Sequence, residues 1–487
     1  MNKLNFSEKM IALRKSLGLT QAELGKRLGI SNRAVSKWEN DMSYPSIDSL
    51  YKLCRMFGVE IEYFFSETPA AADGKPDIAE LGTLPHRRAM TTIRELYRVG
   101  RGPSSSHTIG PEKACLFFKG KYPDADNFKA VLYGSLAQTG RGHMTDRAIR
   151  KALSPCPVEI EFDGSAVDLP HPNTMRLFAY LGGEEIGSVE VQSVGGGQIV
   201  IEGEDFGENI NLYPRHTFTD IADYCREHEM RLWEYVEEIE GSDIHEFVMG
   251  IWQTMQQSIK AGLSDSGTIP GRLNVQKKAK HLHRQQHIDE TEQTRENRLV
   301  CAYAFAVSEQ NACGETIVTA PTCGASGVLP AVLYYIREKR GFSDEAICHA
   351  LETAAVVGNI VKTNASISGA ECGCQAEIGT ACAMTAAALA ELYGMSLEQI
   401  EYAAEIAIEH HLGLTCDPIY GLVQIPCIER NAVAAMRAIN AVNLANFLTD
   451  TRKISFDLIV QTMYETGLDI HGHYRETAEG GLAKLYK

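Results

Sequence analysis

Residues Ser66–Arg88 read SETPAAADGKPDIAELGTLPHRR. Three prolines, several small residues and no sustained helical period mark the stretch as a linker. It divides the 487-residue chain into parts of different character. Residues 1–68 carry a net charge of +2, whereas the remainder carries −18 within the total of −16. Acidity therefore argues against polyanion binding by the body of the chain, not by its front. The length suggests about three domains. Hydrophobic residues at 44% and charged residues at 23% exclude a disordered or collagen-like bulk.

Upstream of the linker, short helix signals lie close together. Met10, Leu13 and Leu17 recur at helical spacing, Thr20 precedes Gln21 and Glu23, and Leu24 and Leu28 turn inward. Gly29 ends that helix, Ser31 caps Asn32–Glu39 (NRAVSKWE), and Pro45-Ser46 opens a fourth helix with Ile47, Leu50 and Leu53. Two short helices about a glycine turn are a helix-turn-helix layout. Leu19–Leu50 (LTQAELGKRLGISNRAVSKWENDMSYPSIDSL) resembles the bacterial repressor-type family related to phage repressors and Cro. The resemblance implies that residues 1–65 bind double-stranded DNA, usually as a homodimer on two half-sites. It implies that Asn32, Arg33, Ser36 and Lys37 face bases, that Gln21 touches a phosphate and that Trp38 is core. Arg14, Lys15, Arg33 and Lys37 supply positive charge for phosphates. A small helical bundle serving protein contacts is the alternative.

Downstream, residues 89–230 mix β-branched runs with Gly/Pro turns. Pro157–Phe162, Ile186–Val194 and Gln198–Ile201 alternate or run apolar as strands do. Residues 231–487 are rich in Ala, Leu and Ile at helical spacing, and Asn431–Leu448 is apolar on nearly every face, as a helix buried in a large core would be. The expected fold class is multidomain α and α+β. An all-α helix-turn-helix bundle spans 1–65, a linker 66–88, an α+β domain 89–230 and a mostly α-helical domain 231–487.

Thirteen cysteines are too dilute for a disulfide scaffold, and Met1–Met10 has no apolar signal core. The longest apolar candidates, Val328–Ile336 and Ile378–Leu392, are too short for a membrane helix or are cut by Glu391. The expectation is a cytoplasmic protein with reduced thiols and no membrane segment.

Four polar, glycine-rich turns stand out in the α+β part: Arg101–Pro111 (RGPSSSHTIGP), Tyr133–Asp146 (YGSLAQTGRGHMTD), His171–Met175 (HPNTM) and Gly195–Gly197. Serine hydroxyls and backbone N–H groups suit an anionic ligand such as a carboxylate. His107 alone in the first turn titrates near neutrality, so it is a candidate general base. Serine runs also cap helices and form ordinary turns.

Nine of the cysteines fall between Cys301 and Cys427. Cys374 lies in GAECGCQAEIG where a glycine-rich turn enters a helix, Cys416 in LTCDP, and Cys427 follows Pro426 at a helix start. Thiols at helix N-termini ionise more easily and suit iron–sulfur ligation. A zinc site that uses Cys372 and Cys374 lacks the usual second pair, and buried structural thiols remain an alternative, as expected for Cys301, Cys348 and Cys382.

SISGAECGCQAEIGTACAMTAAALAELYG, EHHLGLTCDPIYGLVQIPCIERN, GPSSSHT, LYGSLAQTGRGH, HPNTM, SVGGG, APTCGASGVLPAVL and ETGLDIHGHYRETAEGGLA together resemble the iron–sulfur-dependent L-serine dehydratases of bacteria, over roughly residues 90–483. The resemblance implies a [4Fe-4S] cluster held by Cys374, Cys416 and Cys427, with an open iron that activates the serine hydroxyl. His107 would remove the α-proton. Ser104, Ser105, Ser106 and Thr108 would hold the substrate, with His143, Thr145, Asp146 and Asn173 nearby. The products would be pyruvate and ammonia, and the 89–230 and 231–487 domains would be of the family's beta and alpha types. His410 and His411 would tune the cluster or cap their helix. Cys372 stands where the family has glycine, Cys323 where many members have asparagine, and the chain ends in Leu485-Tyr486-Lys487 in place of a cysteine tail. The expectation is a more open, more oxygen-sensitive site. Two other readings are a serine-sensing transcriptional regulator and a lyase acting on L-cysteine or L-threonine.

Overall fold

The computed structural model describes residues 6–16, 19–28, 30–40, 44–45, 47–57, 90–166, 169–201, 204, 211–286, 289–448 and 452–486. The expected linker, 66–88, lies outside them, as do Leu17 and Gly29. The chain divides into two units, Met1–Arg87 and Arg88–Lys487.

The described residues of the first unit form four helices: α1 (Phe6–Ser16), α2 (Gln21–Leu28), α3 (Asn32–Glu39) and α4 (Ile47–Phe57). Thr20 Oγ1 accepts from the Glu23 N–H at 3.2 Å, and Glu23 accepts from the Thr20 N–H at 2.8 Å, a reciprocal cap that starts α2. Ser31 caps α3 by accepting from the Ala34 N–H at 3.3 Å. Phe6, Met10, Leu13, Leu24, Val35, Trp38, Leu50 and Leu53 form the core.

The second unit begins with β1 (Val99–Arg101), a π-helical turn (Ser105–Ile109) and α5 (Gly110–Lys121). Then come β2 (Asn127–Tyr133), α6 (Gly134–Thr139), α7 (Thr145–Leu153), β3 (Val158–Asp163), β4 (Thr174–Leu181), β5 (Glu184–Gly195) and β6 (Gln198–Ile201). The sheet order is β3-β2-β4-β5-β6, with only the β2–β3 pair parallel. That pair needs a crossover, which α6 and α7 supply. Phe118, Phe128, Leu132, Ile149, Met175 and Val191 fill this layer's core.

The remaining elements are mainly helical: α8 (Phe218–Glu227), α9 (Leu232–Glu240), α10 (Ile244–Ser264), α11 (Ala279–Arg284), α12 (Glu292–Ala312), β7 (Thr316–Val318), α13 (Val328–Arg340) and α14 (Asp344–Asn364). They continue through α15 (Gly369–Cys372), a π-helical turn (Gln375–Gly379), α16 (Thr380–Leu392), α17 (Leu397–Glu409), α18 (Cys427–Leu448), α19 (Phe456–Asp469) and α20 (Gly481–Leu485). Their core also takes in Met90, Ile93, Leu96 and Tyr97, and β1 pairs antiparallel with β7. The segment before the sheet is thereby sewn into the helical part.

One sequence expectation needs correcting. α16 is buried on every face over Thr380–Ala390, as is α14 over Ala350–Thr363. α18 instead leaves Val433, Leu444, Phe447 and Leu448 exposed. Small Ala side chains let α16 sit against neighbours all round, whereas the bulky apolar residues of α18 exceed what those neighbours cover. Among the described residues no helix is long and apolar enough to cross a membrane.

Candidate active site

The strand β1 delivers the chain into the serine-rich turn. Ser104 has extended backbone, and its Oγ accepts from the His107 N–H at 3.1 Å, so the serine caps the turn that carries the histidine. Ser105, Ser106, His107 and Thr108 are all buried. His107 Nε2 lies 3.0 Å from Thr139 Oγ1 and 3.1 Å from Ser135 Oγ, both on α6. Its Nδ1 lies 3.5 Å from Ser104 Oγ and 3.5 Å from Glu476 Oε1.

The His143 ring sits 4.3 Å from that of His107. Its Nδ1 is 3.1 Å from Thr139 Oγ1, and its Nε2 is 3.6 Å from Glu476 Oε1. Thr108 Oγ1 donates to the His143 carbonyl at 2.9 Å. Burial lowers His107 to about 4 and His143 well below the ordinary imidazole value, so both rings are neutral at pH 7. Burial raises Glu476 well above the carboxylate range, with the neighbouring Glu377 and Cys374 adding to it.

The other polar turns stand behind this wall. Ser193 Oγ donates to the Ser106 carbonyl at 2.7 Å, and Asn173 Nδ2 donates to the Ser193 carbonyl at 3.3 Å. Asn173 therefore supports the serine turn. Thr145 is buried, with no hydrogen-bond partner for its Oγ1 among the described residues. Asp146 is half-buried in the first turn of α7.

The facing wall carries thiols. A single cavity is lined by Pro103, Ser104, His143, Gly324, Cys374, Glu377, Cys416, Pro418, Val423, Cys427 and Glu476. The three cysteines singled out in the sequence thus meet Ser104 and His143 across one space. His107, Ser105, Ser106, Thr108, Thr145, Asp146 and Asn173 are not among its lining residues; His107 is fully buried next to the lining residues Ser104, His143 and Glu476.

Backbone contacts fix the Cys416 loop. The Cys416 N–H donates to the Tyr474 carbonyl at 2.7 Å, and the Glu476 N–H donates to the Cys416 carbonyl at 2.8 Å. Arg430, in the first turns of α18, donates to the Thr415 carbonyl at 2.6 Å and lies 3.3 Å from Asp417 Oδ1. Gly369 permits the close approach of Glu377 and Cys416, since a Cβ there would lie 2.8 Å from Glu377 Oε2 and 3.3 Å from Cys416 Sγ.

A hydrogen bond from the Cys416 thiol, helped by Arg430, brings Cys374 down to about 6, while that same bond and burial raise Cys416. Burial also raises Cys427, despite its place at a helix start. The expected ease of ionisation therefore belongs to Cys374 alone, because desolvation outweighs the helix end at Cys427. Cys372 packs against α19, where a Cβ on Gly467 would lie 2.7 Å from its Sγ. Cys323 is buried and, like Cys372, is absent from the cavity lining. Cys382 donates to the Ala434 carbonyl at 3.3 Å. His410 and His411 each place Nδ1 on a carbonyl one turn back in α17, at 2.9 and 2.7 Å, which caps the helix end.

Sequence reasoning missed Glu476, Glu377, Ser135 and Thr139. Glu476 had one structural signature: its φ of 58° places a non-glycine residue in the left-handed region, which recurs at functional sites.

In the first unit, Asn32, Arg33 and Lys37 are exposed along α3, and Ser36 is half-buried. Gln21 Nε2 donates to Glu39 Oε2 at 2.8 Å and Arg14 Nε to Glu39 Oε1 at 2.5 Å, so both side chains are committed within the unit. Trp38 is buried.

Three family models match parts of the chain. The family model described as serine dehydratase alpha chain matches residues 216–483, and that described as serine dehydratase beta chain matches residues 92–160. A helix-turn-helix family model matches residues 10–64. The chain is 40% identical to L-serine dehydratase 1 of Escherichia coli (strain K12), over 81% of this chain and 99% of that protein. It is 38% identical to an L-serine dehydratase of Streptomyces coelicolor, over 80% of this chain and 98% of that protein. Similarity to an L-serine dehydratase of Helicobacter pylori is 37% identity, over 82% of this chain and 100% of that protein.

Proposed function

The chain belongs to the L-serine dehydratase family and carries a helix-turn-helix domain in front, and on that premise we propose how its own residues perform the reaction. It is an L-serine ammonia-lyase, which converts L-serine to pyruvate and ammonia. The donor set on the thiol wall fits an iron–sulfur group: the buried Cys374 and Cys416 and the half-buried Cys427 line one cavity, and Cys374 ionises more easily beside the Cys416 thiol and Arg430. Cys374, Cys416 and Cys427 would hold a [4Fe-4S] cluster, which would supply Lewis acidity toward the substrate hydroxyl.

The observation that carries the reading is this cavity, where the thiols face Ser104, His143 and Glu476. His107 is neutral and can accept the α-proton of serine. Its Nε2 is tethered by Ser135 and Thr139, which leaves the Nδ1 edge beside Ser104 and Glu476, both of which line the cavity. Ser104 and the N–H groups of the turn hold the carboxylate, with Ser105, Ser106, Thr108, Thr145, Asp146 and Asn173 as a supporting layer. Loss of the α-proton and the hydroxyl leaves aminoacrylate, which tautomerises and hydrolyses to pyruvate and ammonia. Residues 1–65 bind double-stranded DNA as a homodimer through the exposed Asn32, Arg33 and Lys37 of α3.

Purification without oxygen, followed by iron and sulfide analysis and a pyruvate assay with L-serine, tests the catalytic reading. Iron and sulfide in equal amounts together with pyruvate release are expected. A protein free of iron that still releases pyruvate overturns the cluster assignment. Mobility shift with promoter DNA, and its weakening in an Arg33→Ala variant, tests the front domain.

A further inference from the structure

A second cluster of ligand-type side chains lies away from the catalytic cavity. Glu237 of α9, His245 of α10 and His349 and Glu352 of α14 each offer one atom within 4.8 Å of the others. None of the four lines the catalytic cavity. His349 and Glu352 stand three residues apart and so share one face of α14. The turn Gly241–Asp243 brings α10 back against α9 and sets His245 opposite them.

The decisive residue is Glu352. Its side chain is 0% exposed, and neither carboxylate oxygen has a hydrogen-bond partner among the described residues. Burying a carboxylate in that state is costly unless a cation compensates it or a proton neutralises it. His245 Nδ1 lies 3.6 Å from Glu352 Oε1 and 3.6 Å from Glu237 Oε1. His245 Nδ1 also has no hydrogen-bond partner among the described residues. Both spacings are too long for hydrogen bonds. They are close to the edge of a tetrahedron of zinc ligands, about 3.3 Å for bonds of about 2.0–2.1 Å. The His349 ring is stacked on Trp233 at 3.8 Å and 10°, which fixes the plane of that imidazole.

We propose that Glu237, His245, His349 and Glu352 form a binding site for a divalent transition metal of the zinc class, which ties α9 and α10 to α14. Two imidazoles and two carboxylates form a neutral complex with such an ion, and no thiolate takes part. The ion satisfies the Glu352 carboxylate that the polypeptide leaves unpaired. The site is structural, because four protein ligands close the tetrahedron.

Zinc chloride added to the full-length protein purified without oxygen, followed by exhaustive buffer exchange, tests the assignment. Zinc content, zinc K-edge X-ray absorption and thermal melting are then read. One retained zinc per chain is expected, with a nitrogen/oxygen shell near about 2.0–2.1 Å and no sulfur shell at about 2.3 Å. Glu352→Gln and His349→Ala are expected to weaken zinc retention at least about tenfold and to abolish the zinc-dependent rise in Tm, while turnover of L-serine is unchanged. Glu352→Gln is nearly isosteric and removes the buried ionisable group, so its metal-free form should melt no lower than the metal-free wild type. It therefore decides the matter even where His349→Ala fails to fold. A sulfur shell, no retained zinc in the wild type, or unchanged retention in Glu352→Gln overturns the proposal.

Discussion

The two walls of the catalytic cavity are held in opposite ways. On the histidine wall, side chains hold side chains: Ser104, Ser135 and Thr139 surround His107, and Thr139 also reaches His143. On the cysteine wall, the framework is backbone. Cys416 is pinned through its N–H and carbonyl, and Arg430 grips the adjacent Thr415 carbonyl. The first arrangement fixes a ring and its neutral state, as proton transfer requires. The second fixes a chain path and leaves sulfur turned to the cavity, as metal ligation requires.

Substitutions should separate the walls. Cys416→Ser removes a ligand, so iron content and pyruvate release should both fall to background. Cys382→Ala should leave both intact, since Cys382 donates to a carbonyl in the helical core. His107→Asn should lower kcat by about 10²–10⁴-fold while iron content stays at the wild-type level. Iron loss in His107→Asn would erase the distinction between the walls.

The histidine wall also has a pH signature. Folded His107 takes a proton near about 4, against the ordinary 6.5 of an unfolded imidazole. The unfolded state therefore binds more protons below pH 6.5, so stability is full above that value and falls as pH drops toward 4. From pH 7.5 to pH 5 this one residue should cost about 2 kcal/mol, read as a lower denaturant midpoint. His107→Asn should flatten that part of the slope.

The sequence carried one wall better than the other half of each site. Cys374, Cys416 and Cys427 sit in distinctive glycine- and proline-marked turns, and His107 sits in a serine run, so their chemistry was visible locally. Glu377 and Glu476 carry no local mark that sets them apart from other carboxylates of the chain. Their unusual state arises from burial between segments distant in sequence, which no local pattern encodes. Asp146 shows the reverse: it adjoins the site in sequence, yet half-buried at the start of α7 it is not among the cavity-lining residues. For the same reason, the apolar pattern of α18 did not reveal that Phe447 stays 76% exposed.

Glu476 joins the walls, because its backbone N–H holds Cys416 while its carboxyl reaches both histidines. It should also give the smallest effect. Burial raises its carboxyl well above the usual range, which favours the protonated acid. Glu476→Gln keeps a neutral side chain of the same shape, and the backbone bond to Cys416 is unaffected by the change. Turnover should then fall by less than about tenfold, which corresponds to about 1.4 kcal/mol, with iron content unchanged. A loss as large as that of His107→Asn would mean that the carboxylate form acts in the reaction, and the histidine wall would then carry a charge that its burial argues against.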